Sequence, residues 1–380
     1  MTENAVIVGY VRTPFHFAGK GDLAGVRPDD LAAAAVRELV KRTGVDPKEI
    51  EDLIMGCAFP EGEQGFNIAR LTVSLAGLPV TVGGVTVNRF CGSSMQAIHQ
   101  ATGAICSGAG KVFICAGVES MSRIPMGGFN PLPNPVLFKT YPQAYISMGE
   151  TAENLAKKYS ISRDRQEQFA FESQQKAANA RTAGKFNDEI VAITAPDGRV
   201  VTEDGCIRTD TTLESLAGLK AAFDQSGTVT AGTSSPLTDG AVATLVTSES
   251  FAKANGLKIM ARIKATAVSG CAPEIMGIGP VEAAQKALRR AKLMMQDIDI
   301  IELNEAFSAQ ALSVIKELGI DESRTNLDGG AIAIGHPLGA SGARITGKAA
   351  SLLRREGKKF ALAAMCIGGG QGIATILEAA

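Results

Sequence analysis

Three short segments hold the residues able to do covalent chemistry. TVNRFCGSS (86–94) sets Cys91 between an apolar strand and the start of a helix. GGAIAIGHPLGASG (329–342) sets His336 in a glycine-rich turn ahead of another helix. MCIGGGQG (365–372) sets Cys366 after a strand and before a run of glycines. One thiol nucleophile, one imidazole and a second thiol are a set for making or breaking a carbon–carbon bond through a thioester. Free N–H groups at the helix start favour a thiolate at Cys91 and can hold an oxyanion. The glycines after Cys366 can bring backbone N–H groups against a substrate carbonyl. Asn304, at the end of the apolar run DIDIIEL, can hold a water or carbonyl, or cap the helix expected from Glu305.

The chain has only three His. His is the usual base for a cysteine near neutral pH, and His336 is the candidate. His99 lies eight residues beyond Cys91 on the same helix. That is about 12 Å along the axis, so it reads as a packed or surface side chain. His16, in the loop PFHFAGKG, has no partner legible in the sequence. Rival motifs fail. No G-x-S-x-G elbow surrounds a serine. GKGDLAG (19–25) has the wrong glycine spacing for a dinucleotide fingerprint. GARITGK (342–348) has Walker spacing, but Ala349 stands where Ser or Thr should follow, and the segment reads as mid-helix.

The elements that must position these groups form a repeat. Strands are expected over 5–12 and 111–117, and helices over 29–44 and from Cys91. Strands over 261–270 and 359–365, with helices over 280–292 and after His336, repeat that order. Alternating strands and long helices predict α/β layers, and the self-similarity predicts a duplicated core. Between the copies lies a Pro-rich, polar region, with one long helix over 162–184 capped by Ser162 and Gly184. The expected division is 1–118 plus 237–258, an inserted region 119–236, and 259–380.

A chain of 380 residues with 45% apolar content suits two or three domains. A net charge of −1 gives no reason to expect nucleic acid. No apolar run reaches the roughly 20 residues of a membrane span, and MTENAVIVGY predicts no secretory signal. Seven scattered Cys without a C-x-x-C pair argue against a disulfide framework or zinc site and for a reducing, cytoplasmic setting.

The segments VNRFCGSSMQA, NEAFSAQ, GGAIAIGHPLGASGAR and CIGGGQG resemble the signature blocks of the thiolases, in the same order and along the whole chain. The resemblance implies a five-layer α/β/α/β/α core with an inserted loop domain. It implies that Cys91 is acylated, that His336 activates it, and that His336 and an Asn304-held water form one oxyanion hole. Cys366 would move the α-proton, and the N–H groups of Cys91 and Gly368 would form a second hole. Coenzyme A enters as substrate, with no permanently bound cofactor and no metal. Arg208 and Ser215 match the family's positions near the nucleotide end. Phe223, Ala231 and Ser235 match the pantetheine stretch, and Met148, Ala306 and Phe307 the acyl and pantetheine end.

The segments EQGFNIAR and SSMQAIHQA look more like the degradative 3-ketoacyl-CoA thiolases. Three departures stand out. Ser147 replaces the His common in short-chain biosynthetic members. Asp328 replaces the usual Asn before Gly329. The Pro-rich stretch 123–146 matches the tetramerisation loop poorly. The implied activity is reversible thiolytic cleavage of 3-ketoacyl-CoA. The alternatives are an acetoacetyl-CoA thiolase working in synthesis, a ketosynthase-type condensing enzyme, and a silent CoA-binding subunit. The implied partners are acyl-CoA, CoA, further copies of the chain in a homodimer or tetramer, and a hydratase–dehydrogenase subunit.

Overall fold

A computed structural model describes residues 3–380 of the chain. Its strands are β1 (Ala5–Arg12), β2 (His16–Phe17), β3 (Asp52–Gly56), β4 (Gly83–Val87), β5 (Val112–Ser120), β6 (Ile193–Thr194), β7 (Val200–Val201), β8 (Thr238–Ser248), β9 (Ala261–Gly270), β10 (Ile300–Leu303), β11 (Phe360–Ile367) and β12 (Gln371–Glu378). The main sheet runs β10-β11-β12-β9-β1-β8-β5-β3-β4, while β2 adds to β8 and β6 pairs with β7.

The sheet is two copies of one pattern joined edge to edge. In the first copy β1–β8 and β8–β5 are antiparallel, and β5–β3 and β3–β4 are parallel. In the second, β9–β12 and β12–β11 are antiparallel and β11–β10 is parallel. The place of β4 is taken by a single parallel bridge between Ile301 and Thr325. Only two residue pairs, Val6–Arg262 and Ile7–Ala261, join the copies through β1 and β9.

Each sheet buries both faces, so its strands read as apolar runs rather than as alternating ones. Helices Pro28–Thr43 and Ile68–Leu75 cover the outer face of the first copy. Helix Gly279–Ala291 and helix Ser308–Leu318 cover that of the second. Helices Ser93–Ser107 and Leu338–Arg355 fill the space between the sheets, in one apolar core with both inner faces. These are the five layers. Local signals start and stop the helices. Pro28 opens the first with Asp29 and Asp30 in its first turn, and Gly44 closes it at φ 69°. Ser162 caps Arg163–Thr182 through the Arg165 N–H.

The segment between β5 and β8 adds no strand to the main sheet. It carries helices Pro135–Thr140, Met148–Tyr159, Arg163–Thr182 and Leu213–Ala217, of which Met148–Tyr159 and Arg163–Thr182 pack on helix Ser308–Leu318. No described helix is long and apolar enough to cross a membrane.

Candidate active site

Cys91 lies two residues before the helix Ser93–Ser107, and His336 two residues before Leu338–Arg355. These helices hold equivalent places in the two copies. The duplication therefore sets two distant turns of the chain at equivalent ends of two helices that pack on one another. Strand register extends the match. Gly56 and Leu303 end their parallel strands and pair with Gly117 and Ala364. One residue onward come Cys57 and Asn304, and two residues onward from the partners come Glu119 and Cys366. All four candidate reacting side chains thus have a positional twin in the other copy: Cys91 and His336 are twins of one another, Asn304 matches Cys57, and Cys366 matches Glu119.

The turn before Cys91 is strained. Phe90 takes φ 42°, a left-handed conformation that a bulky residue resists. Its N–H donates to Asn88 Oδ1 at 2.8 Å, and its carbonyl accepts from Ser93 Oγ at 2.6 Å. These bonds hold the turn that presents the Cys91 thiol. The N–H groups of Gly368 and of Cys91 itself point at the sulfur and favour its charged form, but burial outweighs them. The thiol is pushed up to about 11. The thiolate expected from the helix start is therefore not the resting form.

His336 is buried, and its N–H donates to Thr238 Oγ1 at 3.0 Å. Its Nδ1 lies 2.6 Å from Ser341 Oγ, and that hydroxyl lies 3.3 Å from Pro337 O. Ser341 donates to the carbonyl and accepts from Nδ1–H, which leaves the Nε2 lone pair free. The Asn304 amide nitrogen faces Nε2 at 3.5 Å. Burial, aided by the Arg344 charge, lowers His336 to about 3, so the ring is neutral. Gly335 has φ 112°, and a Cβ there would stand 2.7 Å from Thr238 Cγ2, so this position needs glycine.

Asn304 caps no helix. The next helix starts at Ser308, and Asn304 Oδ1 is buried with no partner. An unpaired buried amide oxygen beside the His336 ring is suited to holding a polar substrate atom or a water. Cys366 lies inside β11, opposite Gly372, not beyond its end. Burial and the neighbouring Cys91 push its thiol well above the usual range. It packs with Ala306, Phe307 and Met148. A Cβ at Gly368 would stand 3.5 Å from Met148 Sδ and 3.7 Å from Phe90 Cδ2. The backbone at Gly368 thus closes the gap between the Cys91 turn and the inserted region.

Cys91, Gly368 and Met148 share a cavity of about 580 Å³ with Phe59, Phe90, Met126, Leu132, Tyr145, Ile146 and Leu338. Phe223 meets Phe307 edge-on at 5.8 Å, and Ser235 donates to Ala306 O through its N–H (2.9 Å) and its hydroxyl (3.0 Å). Ala231 starts a short turn against Leu216 and Leu219, beside the helix of Ser215. Ser215 itself forms a capping box with Thr212. Arg208 stands apart, 5.7 Å over the Phe17 ring, and its N–H donates to Gln174. The other two histidines stay outside the site. His99 bonds Thr375 Oγ1 and His16 bonds Glu203 O.

Glu119 was not legible as a site residue, although a charge inside the apolar run of β5 is a signal. It accepts from Ala58 N, Phe59 N, Gly339 N and Gln64 Nε2. It thereby clamps the start of the His336 helix to the first copy. Asp328 is buried and paired with Lys348 at 2.8 Å and Arg355 at 2.5 Å, and these cations lower it to about 2. Its charge is thus neutralised by ion pairs to the helix that follows His336. Ser147 caps helix Met148–Tyr159 in a capping box with Glu150.

The duplicated α/β core carries a half-buried thiol at Cys91, a second thiol beside it at Cys366, and a buried neutral imidazole on the equivalent turn of the other copy. The thiolase N-terminal domain family matches residues 5–250, and the thiolase C-terminal domain family matches residues 257–379. This chain belongs to the thiolase family. It is 48% identical to a 3-ketoacyl-CoA thiolase of Bacillus subtilis, with 99% of each chain covered. It is 50% identical to one of Shewanella loihica, over the whole of both. Among solved structures, human mitochondrial 3-ketoacyl-CoA thiolase is similar at a TM-score of 0.91 and 39% identity, covering 99% of both chains. The Bacillus anthracis acetyl-CoA acetyltransferase is similar at 0.92 and 40%, covering 100% of this chain and 99% of that one.

Proposed function

We propose that this chain is a 3-ketoacyl-CoA thiolase, working through an acyl-cysteine. The observation that carries this reading is the shared cavity: the Cys91 thiol opens into a mostly apolar space that also receives Gly368 and Met148. His336 Nε2 takes the Cys91 proton as sulfur attacks the 3-keto carbon. The oxyanion is met by His336 and a water on Asn304. The bond between the 3-keto carbon and the α-carbon breaks, and the acetyl-CoA enolate takes its proton from the Cys366 thiol. CoA then gives its thiol proton to Cys366 and attacks the acyl carbon, and Cys91 leaves and recovers its proton from His336. The N–H groups of Cys91 and Gly368 suit the thioester oxygen of the acetyl unit. Both neutral reactants favour this route, since charge develops only as the new bond forms.

Phe223, Phe307, Met148, Ala306, Ala231 and Ser235 line the path we assign to pantetheine, and Ser215 and Arg208 the nucleotide end. The apolar walls at Met126, Leu132 and Ile146 favour acyl chains longer than C4 over the acetoacetyl-CoA alternative. Turnover measured from C4 to C16 tests this. Comparable kcat/KM at C4 and C10 is expected, and activity confined to C4 would refute it. Acetyl-CoA should leave an acetyl group on Cys91 by mass spectrometry, and its absence would favour a silent CoA-binding role.

Seven free thiols suit a reducing cytoplasm, which fractionation would check. A 3-keto thioester is the product of hydration followed by oxidation. That makes a hydratase–dehydrogenase subunit a fitting partner, to be tested by co-purification. The edge strand β4 and nearby exposed Phe66, Leu71, Leu75 and Val80 suit a homodimer. A monomer at micromolar concentration by sedimentation would exclude it. We divide the chain at 118/119, 236/237 and 258/259, which limited proteolysis should respect by cutting first within 119–236.

A further inference from the structure

The two N–H groups assigned to the acetyl thioester oxygen come from different copies of the fold. That of Cys91 belongs to the turn before helix Ser93–Ser107. That of Gly368 belongs to the hairpin between β11 and β12. The hairpin loop is Gly368, Gly369 and Gly370, the last two at φ 78° and 86°. Three glycines offer no side chain to hold, and their backbone is conformationally free. The spacing between the two donors must therefore be set from outside the loop.

The neighbours of Cys91 make that link. On one side, Gly92 lies against β11 and β12. A Cβ there would stand 2.6 Å from Ile367 Cδ1 and 3.2 Å from Ile373 Cγ2. On the other side, Arg89 Nη1 donates to Gln371 Oε1 at 2.8 Å. Both ends of this bond are anchored. Gln371 closes the hairpin opposite Ile367 and pairs with Gly270 of β9. Arg89 Nε donates to Gln96 Oε1 on the Cys91 helix at 2.9 Å, and the Arg89 N–H donates to Ser93 Oγ at 2.9 Å. The planar guanidinium thus spans from the Cys91 helix to the foot of the glycine loop. Cohesion of the layers does not require it. The same helix and strand already share an apolar core, and His99 meets Thr375 Oγ1 at 2.9 Å farther along.

We propose that Arg89, acting through Gln371, is a positioning residue that fixes the Gly368 N–H against the Cys91 N–H, so that both reach one thioester oxygen. This deepens the thiolase reading and rests on it. Neither side chain lines the cavity at Cys91, so neither touches the reacting atoms. The effect falls on reactions that use the paired N–H groups and spares those that need only the sulfur.

Two reactions of Cys91 separate these cases. In acetylation by acetyl-CoA, sulfur bonds the acetyl carbon through an oxyanion. The proton that His336 takes from Cys91 ends on the departing CoA thiol. Iodoacetamide instead loses iodide from a saturated carbon and forms no oxyanion. Both rates are read on the Cys91 peptide by mass spectrometry in Arg89→Met, Gln371→Met, the double variant and Gln371→Glu. Acetylation should fall about tenfold in each single Met variant, less than the loss of a whole oxyanion donor. The double variant should be no slower than Arg89→Met, because one shared bond is lost. Gln371→Glu offers an oxygen to the same Nη1 and should acetylate within about twofold of the wild type. Alkylation should stay within about twofold throughout. Gln371→Met alters a half-buried strand end and reports even if Arg89→Met folds poorly. Unchanged acetylation in Gln371→Met, an equal fall of both reactions, or a tenfold loss in Gln371→Glu would overturn the proposal. A wild-type chain that alkylates but never acetylates would instead overturn the thiolase reading, and the proposal with it.

Discussion

The resting charge state of the Cys91–His336 pair can be tested by replacing His336 with Ala and following alkylation of Cys91 against pH. The thiol is raised to about 11 and the imidazole lowered to about 3. A gap of about eight pH units makes moving the proton from sulfur to nitrogen cost about 11 kcal/mol. Even at a 4 Å separation, attraction between the resulting charges returns only about 4 kcal/mol at an effective dielectric near 20. About 7 kcal/mol remains, so the ion pair amounts to roughly one molecule in 10⁵. The sign follows. The imidazole stays neutral above about pH 3 and the thiol stays protonated below about 11, so the neutral pair spans the ordinary range. Iodoacetamide labelling of the Cys91 peptide, read by mass spectrometry, should rise continuously from pH 6 to 10 without a plateau. His336→Ala should leave the shape of that profile unchanged while lowering thiolysis by about 10²–10⁴-fold. A wild-type plateau with a midpoint below pH 7, abolished in His336→Ala, would show a preformed thiolate and refute the desolvation argument.

Cys366→Ser should still acetylate Cys91, while α-proton exchange of acetyl-CoA in D₂O, followed by NMR, falls by about 10²-fold or more. Exchange at the wild-type rate would remove Cys366 from its proton-transfer role. Gly335→Ala forces a Cβ onto Thr238 at a positive φ and should cost about 1–3 kcal/mol. Thermal unfolding should register that loss, together with a lower kcat at unchanged KM. An unaffected kcat would mean that the His336 turn does not depend on this backbone geometry.

Much of the fold was legible. The strands 5–12 and 261–270 are apolar runs bounded by turn residues, and they stand as read. Pro28 and Ser162 set helix starts by local chemistry that needs no tertiary partner. The repeat was legible because both copies bury the same faces and so keep the same apolar order. Ends set by neighbours were not. β11 runs through Cys366 because Gly372 pairs with it on β12.

The chain itself singled out the candidate reacting side chains, because Cys91, His336 and Cys366 combine reactive chemistry with turns or glycines that can present it. Charge state and alliance were decided by the fold. Burial cannot be read from neighbours in sequence, and it overrides the helix N–H groups that suggested a thiolate at Cys91. Glu119 joins the site only because residues 220 positions apart in the chain meet there, with Gly339 reached across the two copies. Desolvation and long-range pairing are properties of packed layers, so they exist only once the two halves have closed on one another.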